Sequence, residues 1–74
     1  MNKIRRAEIK KMIKDTSIIK EKLSSILSDE TNCYDNMPEN LQNSMRGCDS
    51  EEAIEYMDEA CELLEEAMEK LENI

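Results

Sequence analysis

The chain has 74 residues, lacks His, Phe and Trp, and carries 18 acidic against 10 basic residues, a net charge of −8. This length supports one domain, and a core of Ile, Leu, Met and Ala alone gives it marginal stability. Without His the commonest general base and metal ligand are missing, and a single Gly does not make a phosphate-binding loop.

The spacing of the remaining polar residues also argues against catalysis. Ser and Cys have no base and orienting group around them, as an activated nucleophile requires. The acidic residues follow a helical spacing and lack the Asp-x-Asp-x-Asp-Gly alternation of a calcium loop. We therefore expect a protein that is not an enzyme, with no catalytic residue, no metal site and no cofactor.

The three cysteines, Cys33, Cys48 and Cys61, are an odd number and form no CxxC pair. They favour neither a disulfide framework nor a zinc site, and they indicate a reducing, cytoplasmic setting. We expect Cys61 to be buried as a small apolar residue. No stretch approaches the roughly 20 apolar residues that span a bilayer, so no membrane contact is expected.

Charge is divided unevenly along the chain. Residues 1–28 hold eight bases and three acids, a net charge of +5. Residues 29–74 hold two bases and 15 acids, a net charge of −13. An asymmetry of this kind indicates either a charged partner or self-association.

Residues 2–28 are predicted to form the first helix. Their apolar residues alternate by three and four, which is typical of a stripe along one helix face. The stripe consists of Ile9, Met12, Thr16, Ile19, Leu23 and Ile26, flanked by Ile13 and Leu27.

A turn over residues 29–36, rich in Asn and Asp, is predicted to lead into a short helix at 37–46. Asn36 is a suitable N-cap, and Pro38 then falls in the first helical turn, where its missing N–H costs nothing. Gly47, the only glycine, is expected to follow the short helix as a C′ residue able to take positive φ.

The last helix is predicted at 50–73, with Asp49 or Ser50 as its N-cap. Residues 52–72 repeat the unit acid-Ala-apolar-acid-x-apolar-acid three times, a pattern typical of a helix packed lengthwise against other helices. Its stripe has three rows: Met57, Leu64 and Leu71; Ala53, Ala60, Ala67 and Ile74; and Ile54, Cys61 and Met68. The alanine row would let a neighbouring helix approach closely.

Together these elements predict an all-α fold, long helix, short helix, long helix, in which the long helices form an antiparallel hairpin. A hairpin of this size buries little, so we expect a homo-oligomer in which hairpins associate into a bundle. Four apolar residues beside the stripes are expected at the contact between chains: Ile4, Ile18, Tyr56 and Leu63.

Two charged surfaces are candidates for a partner. The acidic face of the last helix is a solvated surface, a contact for a basic protein that could also imitate a nucleic-acid backbone, or a surface with a structural role within an oligomer. Its central carboxylates are Glu55, Glu59, Glu62 and Glu66. The basic start of the first helix is a solvated face, an inter-subunit partner for the acidic helix, or a contact for a small anionic ligand such as a nucleotide. Its candidate phosphate-contacting residues are Lys3, Arg5, Arg6 and Lys10. Aromatic stacking residues are missing there, so direct nucleic-acid binding is not expected.

The segment around the short helix resembles a group of short proteins encoded by phages, prophages and plasmids of low-GC Gram-positive bacteria. In that group an Asn-Leu-Pro-Glu-x-Leu-Gln-x-Ser turn precedes a Glu-Ala-rich helix. The similarity covers about half the chain, residues 35–72, and Met37 replaces the common leucine. The matching residues are Asn36, Pro38, Glu39, Leu41, Gln42 and Ser44.

The resemblance implies a mobile-element protein in the cytoplasm of a bacterial host, and it implies no particular activity. Small phage proteins often act by binding and disabling a host factor. The leading prediction is therefore a self-associating interaction protein that sequesters a host component, as a counter-defence protein would. The alternatives are an oligomeric sponge for an anionic nucleotide signal, a structural or assembly protein of the phage, and an acidic nucleic-acid mimic.

Overall fold

The computed structural model describes residues 1–74 and contains three helices and no strand. They are α1 (Lys3–Asp35), α2 (Glu39–Gln42) and α3 (Met45–Glu72). α1 and α3 pack side by side in opposite directions, and α2 lies in the connection between them. The molecule measures 58 × 15 × 13 Å, and the predicted all-α fold with its long, short, long order is confirmed.

α1 is longer than predicted, because the expected turn at residues 29–36 is helical as far as Asp35. Its start is capped by the Asn2 side chain, which accepts the N–H of Arg5 at 2.8 Å. Within the added turns the Thr31 hydroxyl donates to the Leu27 carbonyl at 2.8 Å. Asn and Asp are weak helix formers by only a few tenths of a kcal/mol each, so packing of these turns against α3 outweighs their propensity.

The connection also departs from the prediction. Asn36 closes α1 instead of opening α2, and its backbone N–H donates to the Asn32 carbonyl at 3.1 Å. α2 spans only four residues and has Pro38 at its N-cap. The Gln42 amide donates to the Tyr34 carbonyl at 2.9 Å, which holds α2 against the end of α1.

α3 begins at Met45, earlier than predicted, with Ser44 rather than Asp49 or Ser50 as its N-cap. Gly47 therefore lies inside the first turn of α3, and no residue in the chain has positive φ. The glycine is needed for a different reason, since a Cβ there would overlap the carbonyl oxygens of Leu41 and Gln42. Gly47 is buried, and it allows the backbone of α2 to approach α3 closely.

The contact between α1 and α3 is called the seam, and its residues alternate by three and four on both helices. On α3 the seam includes two of the three predicted rows, the row that contains Met57 and the row that contains Ile54. Cys61 and Met68 are only 8% and 9% exposed, which confirms the predicted burial of Cys61. The half-buried seam residues of α1 are Ile9, Ile13, Thr16, Lys20, Leu23, Leu27, Glu30 and Tyr34. Those of α3, buried or half-buried, are Gly47, Ser50, Ile54, Met57, Cys61, Leu64, Met68 and Leu71.

The predicted stripe of α1 is thus only partly correct. Met12, Ile19 and Ile26 are 55%, 56% and 57% exposed, and Ile13 and Leu27 occupy the seam in their place. This rotation of α1 is explained by α3, where the side chains of the row Ile54, Cys61 and Met68 are larger than those of the alanine row. Packing on the larger row removes more apolar area from water, and the alanine row is left at the side of the seam.

Replacement of Gly47 by Ala is predicted to destabilise the hairpin. Alanine favours a helix over glycine by about 1 kcal/mol, but here its Cβ would overlap the carbonyl oxygens of Leu41 and Gln42 and push α2 away from α3. We expect a net loss of about 2 kcal/mol in the free energy of unfolding, measured by urea denaturation. Ser25→Ala, at an exposed site in α1, serves as the control. A Gly47→Ala variant as stable as the parent would contradict the close approach.

Candidate functional site

The two edges of the seam differ in chemistry. Along one of them, called the polar edge, side chains of α1 and α3 bond to each other. Three contacts cross it: an ion pair between Lys20 and Glu65, a Ser24 Oγ to Cys61 Sγ contact of 3.7 Å, and a Tyr34 hydroxyl donating to Glu51 at 3.5 Å. In each pair the residue numbers add to 85, which fixes the register of the antiparallel helices.

Near the connection a further polar contact lies within the seam itself. The Ser50 hydroxyl, only 6% exposed, donates to Glu30 Oε1 at 2.6 Å. Because the carboxylate is an ionised acceptor, this hydrogen bond is stronger than one between neutral groups. It joins the last turns of α1 to the first turns of α3 and so holds the closed end of the hairpin.

Tyr34, at the polar edge, has a perturbed acidity. Loss of hydration, followed by the charge of Glu51 and the hydrogen bond to it, raises the pKa of Tyr34 above its ordinary value of 10.0. Nearby Cys48 and Asp35 act in the same direction. A raised pKa means that Tyr34 supports the folded state while protonated, and that this support is lost as the pH rises above 10 through the folded pKa.

The opposite edge is apolar and has no partner within the chain. We call it the apolar flank. On α1 it consists of the exposed isoleucine and methionine row that was predicted to face α3. On α3 it consists of the alanine row and, next to it, the row of Tyr56 and Leu63. Its residues are Met12, Ile19, Ile26, Ala53, Ala60, Ala67, Tyr56 and Leu63.

Helix geometry places these rows on the same side of the hairpin. Ile19 comes one residue before the seam residue Lys20 and four before Leu23. Ala60 likewise comes one residue before Cys61 and four before Leu64. In an antiparallel pair, rows with the same offset from the seam meet on one face. The apolar flank is therefore a single surface, in which alanines form a shallow floor between larger side chains on either side.

The structure brings together only two of the four predicted self-association residues. Tyr56 and Leu63, 63% and 64% exposed, follow Ala53 and Ala60 by three positions and border the apolar flank. Ile4 and Ile18, 72% and 48% exposed, lie on the side of α1 that faces away from α3. Met12, Ile19 and Ile26 were not predicted as surface residues, yet each is more than half exposed. The available signal was the width of the stripe, because three adjacent rows are more than one neighbouring helix can cover.

The predicted phosphate-contacting residues are split by the fold. Lys3, Arg5, Arg6 and Lys10 are all exposed on α1. Arg6 and Lys10 line a cavity of about 230 Å³ at the open end of the hairpin, beside Leu71, Glu72 and Ile74 among others. Lys3 and Arg5 do not line it. The volume of this cavity is below the roughly 300–1,000 Å³ of small-molecule sites. The carboxylate of Glu72 in its lining would repel an anion.

The predicted acidic surface is present on α3. Glu55, Glu59, Glu62 and Glu66 are exposed, and none forms an ion pair within the chain. Each lies on the face of the helix away from α1, as the seven-residue repeat requires. The four carboxylates therefore form a negative surface that is free to meet a cation.

No family model matches this chain, and no curated protein or solved structure is significantly similar to it. The resemblance of residues 35–72 to mobile-element proteins stays a prediction. No helix has the length and apolar content needed to cross a membrane. The structure also contains no cluster of three or more Cys, Asp or Glu side chains placed to share a metal ion.

The raised pKa of Tyr34 can be tested by titrating its hydroxyl group. Tyr56→Phe leaves Tyr34 as the only tyrosine, so the absorbance of tyrosinate reports this group alone. We expect a midpoint above 10.0, and a lower midpoint when Glu51→Gln is added, because the neighbouring charge and the acceptor are lost. Glu52→Gln, the adjacent exposed carboxylate, is the control and should leave the midpoint unchanged. A midpoint insensitive to Glu51→Gln would show that the cross-helix contact is absent.

Proposed function

We propose that this chain is a non-enzymatic interaction protein of phage or mobile-element type, which self-associates and binds a host protein so as to sequester it. In this proposal the protein acts by binding through its surfaces and catalyses no reaction. The acidic surface of α3 makes the contact with the host protein, and apolar side chains hold copies of the chain together.

One observation carries this proposal. Only two apolar side chains are buried, those of Cys61 and Met68, whereas eleven large hydrophobic side chains are exposed. Five of them, Met12, Ile19, Ile26, Tyr56 and Leu63, lie together on the apolar flank, and a contiguous apolar patch on a small protein is typical of a site of protein interaction. A hairpin that uses most of its apolar residues on its outside is suited to binding other proteins.

The acidic surface is the better candidate for the host contact. Its four carboxylates have no cation partner in the chain, so their full charge is available to a basic protein. Charge of one sign on one surface speeds encounter with a complementary partner. The basic residues at the start of α1 are less suited, because Arg6 and Lys10 share their cavity with Glu72.

An affinity capture tests the proposal and the surface together. The tagged chain is expressed in a low-GC Gram-positive host during phage infection, and proteins recovered with it are identified by mass spectrometry. A variant with Glu55→Gln, Glu59→Gln and Glu62→Gln should lose the host protein that the parent recovers. The matched control carries Glu8→Gln, Glu21→Gln and Glu39→Gln, three exposed carboxylates outside α3, and should keep it.

Other results would contradict the proposal. Equal recovery by both triple variants would exclude the acidic surface as the contact. Enrichment of phage particle proteins alone would favour an assembly role, and enrichment of a DNA-binding protein that DNA displaces would favour a nucleic-acid mimic.

A further inference from the structure

We propose that the apolar flank is covered by a second copy of this chain, in a four-helix bundle with a two-fold axis parallel to the helices, so that α1 of each copy lies against α3 of the other. This inference rests on the self-association in the proposed function and specifies its surface, its partner helix and its register. It replaces Ile4 and Ile18 as the residues of the contact.

The exposed area is sufficient for such a dimer. A compact monomer of 8.6 kDa exposes about 4,700 Å², whereas this chain exposes 5976 Å². The excess of about 1,300 Å² is larger than the roughly 800 Å² that each partner buries in a standard interface. Packing two rods along their length removes this excess and encloses the seam on its uncovered edge.

The shape of the apolar flank selects the pairing of helices. Two arrangements place two copies face to face: α1 against α3 of the partner, or each helix against its own counterpart. The first sets the large side chains of Ile19 and Ile26 onto the partner's alanine floor, where large side chains interdigitate with small ones. The second sets large against large and alanine against alanine, which leaves gaps beside the alanines.

Charge selects the same pairing. α1 holds eight bases and six acids, a net charge of +2, and α3 holds two bases and eleven acids, a net charge of −9. Placing α3 beside α3 of the partner brings two strongly negative rods together, whereas placing it beside α1 brings opposite net charges together. The arrangement of α1 against α3 is therefore favoured by both shape and charge.

The register follows from the hairpin itself. A two-fold axis parallel to the helices does not shift one copy along the other, so facing residues again have numbers that add to about 85. Ile19 then lies beside Ala67 of the partner subunit, and Ile26 beside the partner's Ala60. At the border, Asp15 lies level with the partner's Lys70, an opposite-charge pair, and neither residue has an ion-pair partner within its own chain.

Two adjacent residues provide a matched test by mass. Ile19 and Ile18 are 56% and 48% exposed in the hairpin, but only Ile19 is on the apolar flank. Sedimentation and native mass spectrometry at micromolar concentration should give twice 8.6 kDa for the parent and for Ile18→Glu. Ile19→Glu places two carboxylates in each interface and should raise the dissociation constant roughly 100-fold or more. Circular dichroism establishes that both variants keep their helices.

A cross-link tests the register without disrupting the interface. In a chain with Cys33→Ser and Cys48→Ser, Asp15→Cys and Lys70→Cys are made as separate variants. Oxidation of their mixture should give a disulfide-linked dimer, and oxidation of either alone should not. An oligomer that tolerates Ile19→Glu and forms no such cross-link overturns this inference and leaves self-association standing. A parent chain that is strictly monomeric overturns both, and a host protein found on Ile19 in place of a second copy overturns this inference alone.

Discussion

The packing of α1 on α3 along the seam is the constraint on which the rest of the molecule depends. Each helix contributes one residue every three or four positions, and the most buried of these are Cys61 and Met68. Because the chain has no Phe or Trp, this contact consists of medium-sized aliphatic and sulfur-containing side chains. It orients both helices about their long axes, and that orientation decides which rows face outwards.

This orientation makes the two edges of the seam different. The side chains of the polar edge find partners within the chain, since Lys20 pairs with Glu65 and Tyr34 bonds to Glu51. The apolar flank has no such partner, since no third helix covers the rows that contain Ile19 and Ala60. One edge therefore has its partners within the chain and the other does not, and this asymmetry is the physical basis for the proposed dimer and for the proposed role in protein interaction.

Much of the fold could be predicted from sequence because the seven-residue repeat is strict. The fold class, the order of elements and the burial of Cys61 follow from the spacing of apolar residues. The helix ends did not follow, because the capping signals at Asn36 and Gly47 were outweighed by packing between neighbouring helices. Gly47 illustrates this, since its importance comes from the carbonyls of α2 and not from its own φ.

The surface was harder to predict than the fold. A three-row stripe is compatible with more than one rotation of each helix, and only the packed pair decides which row is left outside. Ile19 was predicted to face α3 and Ile18 to lie beside the stripe, yet the packed pair leaves both exposed, on different sides of α1. The predicted acidic residues fared better, because the repeat alone puts Glu55, Glu59 and Glu62 opposite the seam.

The rate at which the three thiols of the unmodified chain react with a labelling reagent tests the seam most directly. Cys33 and Cys48 are exposed, whereas Cys61 is buried between the helices. The packing predicts that Cys48 reacts at once and that Cys61 reacts only as fast as the hairpin opens, until denaturant makes all three thiols equal. Labelling of Cys61 as fast as Cys48 under native conditions would contradict it.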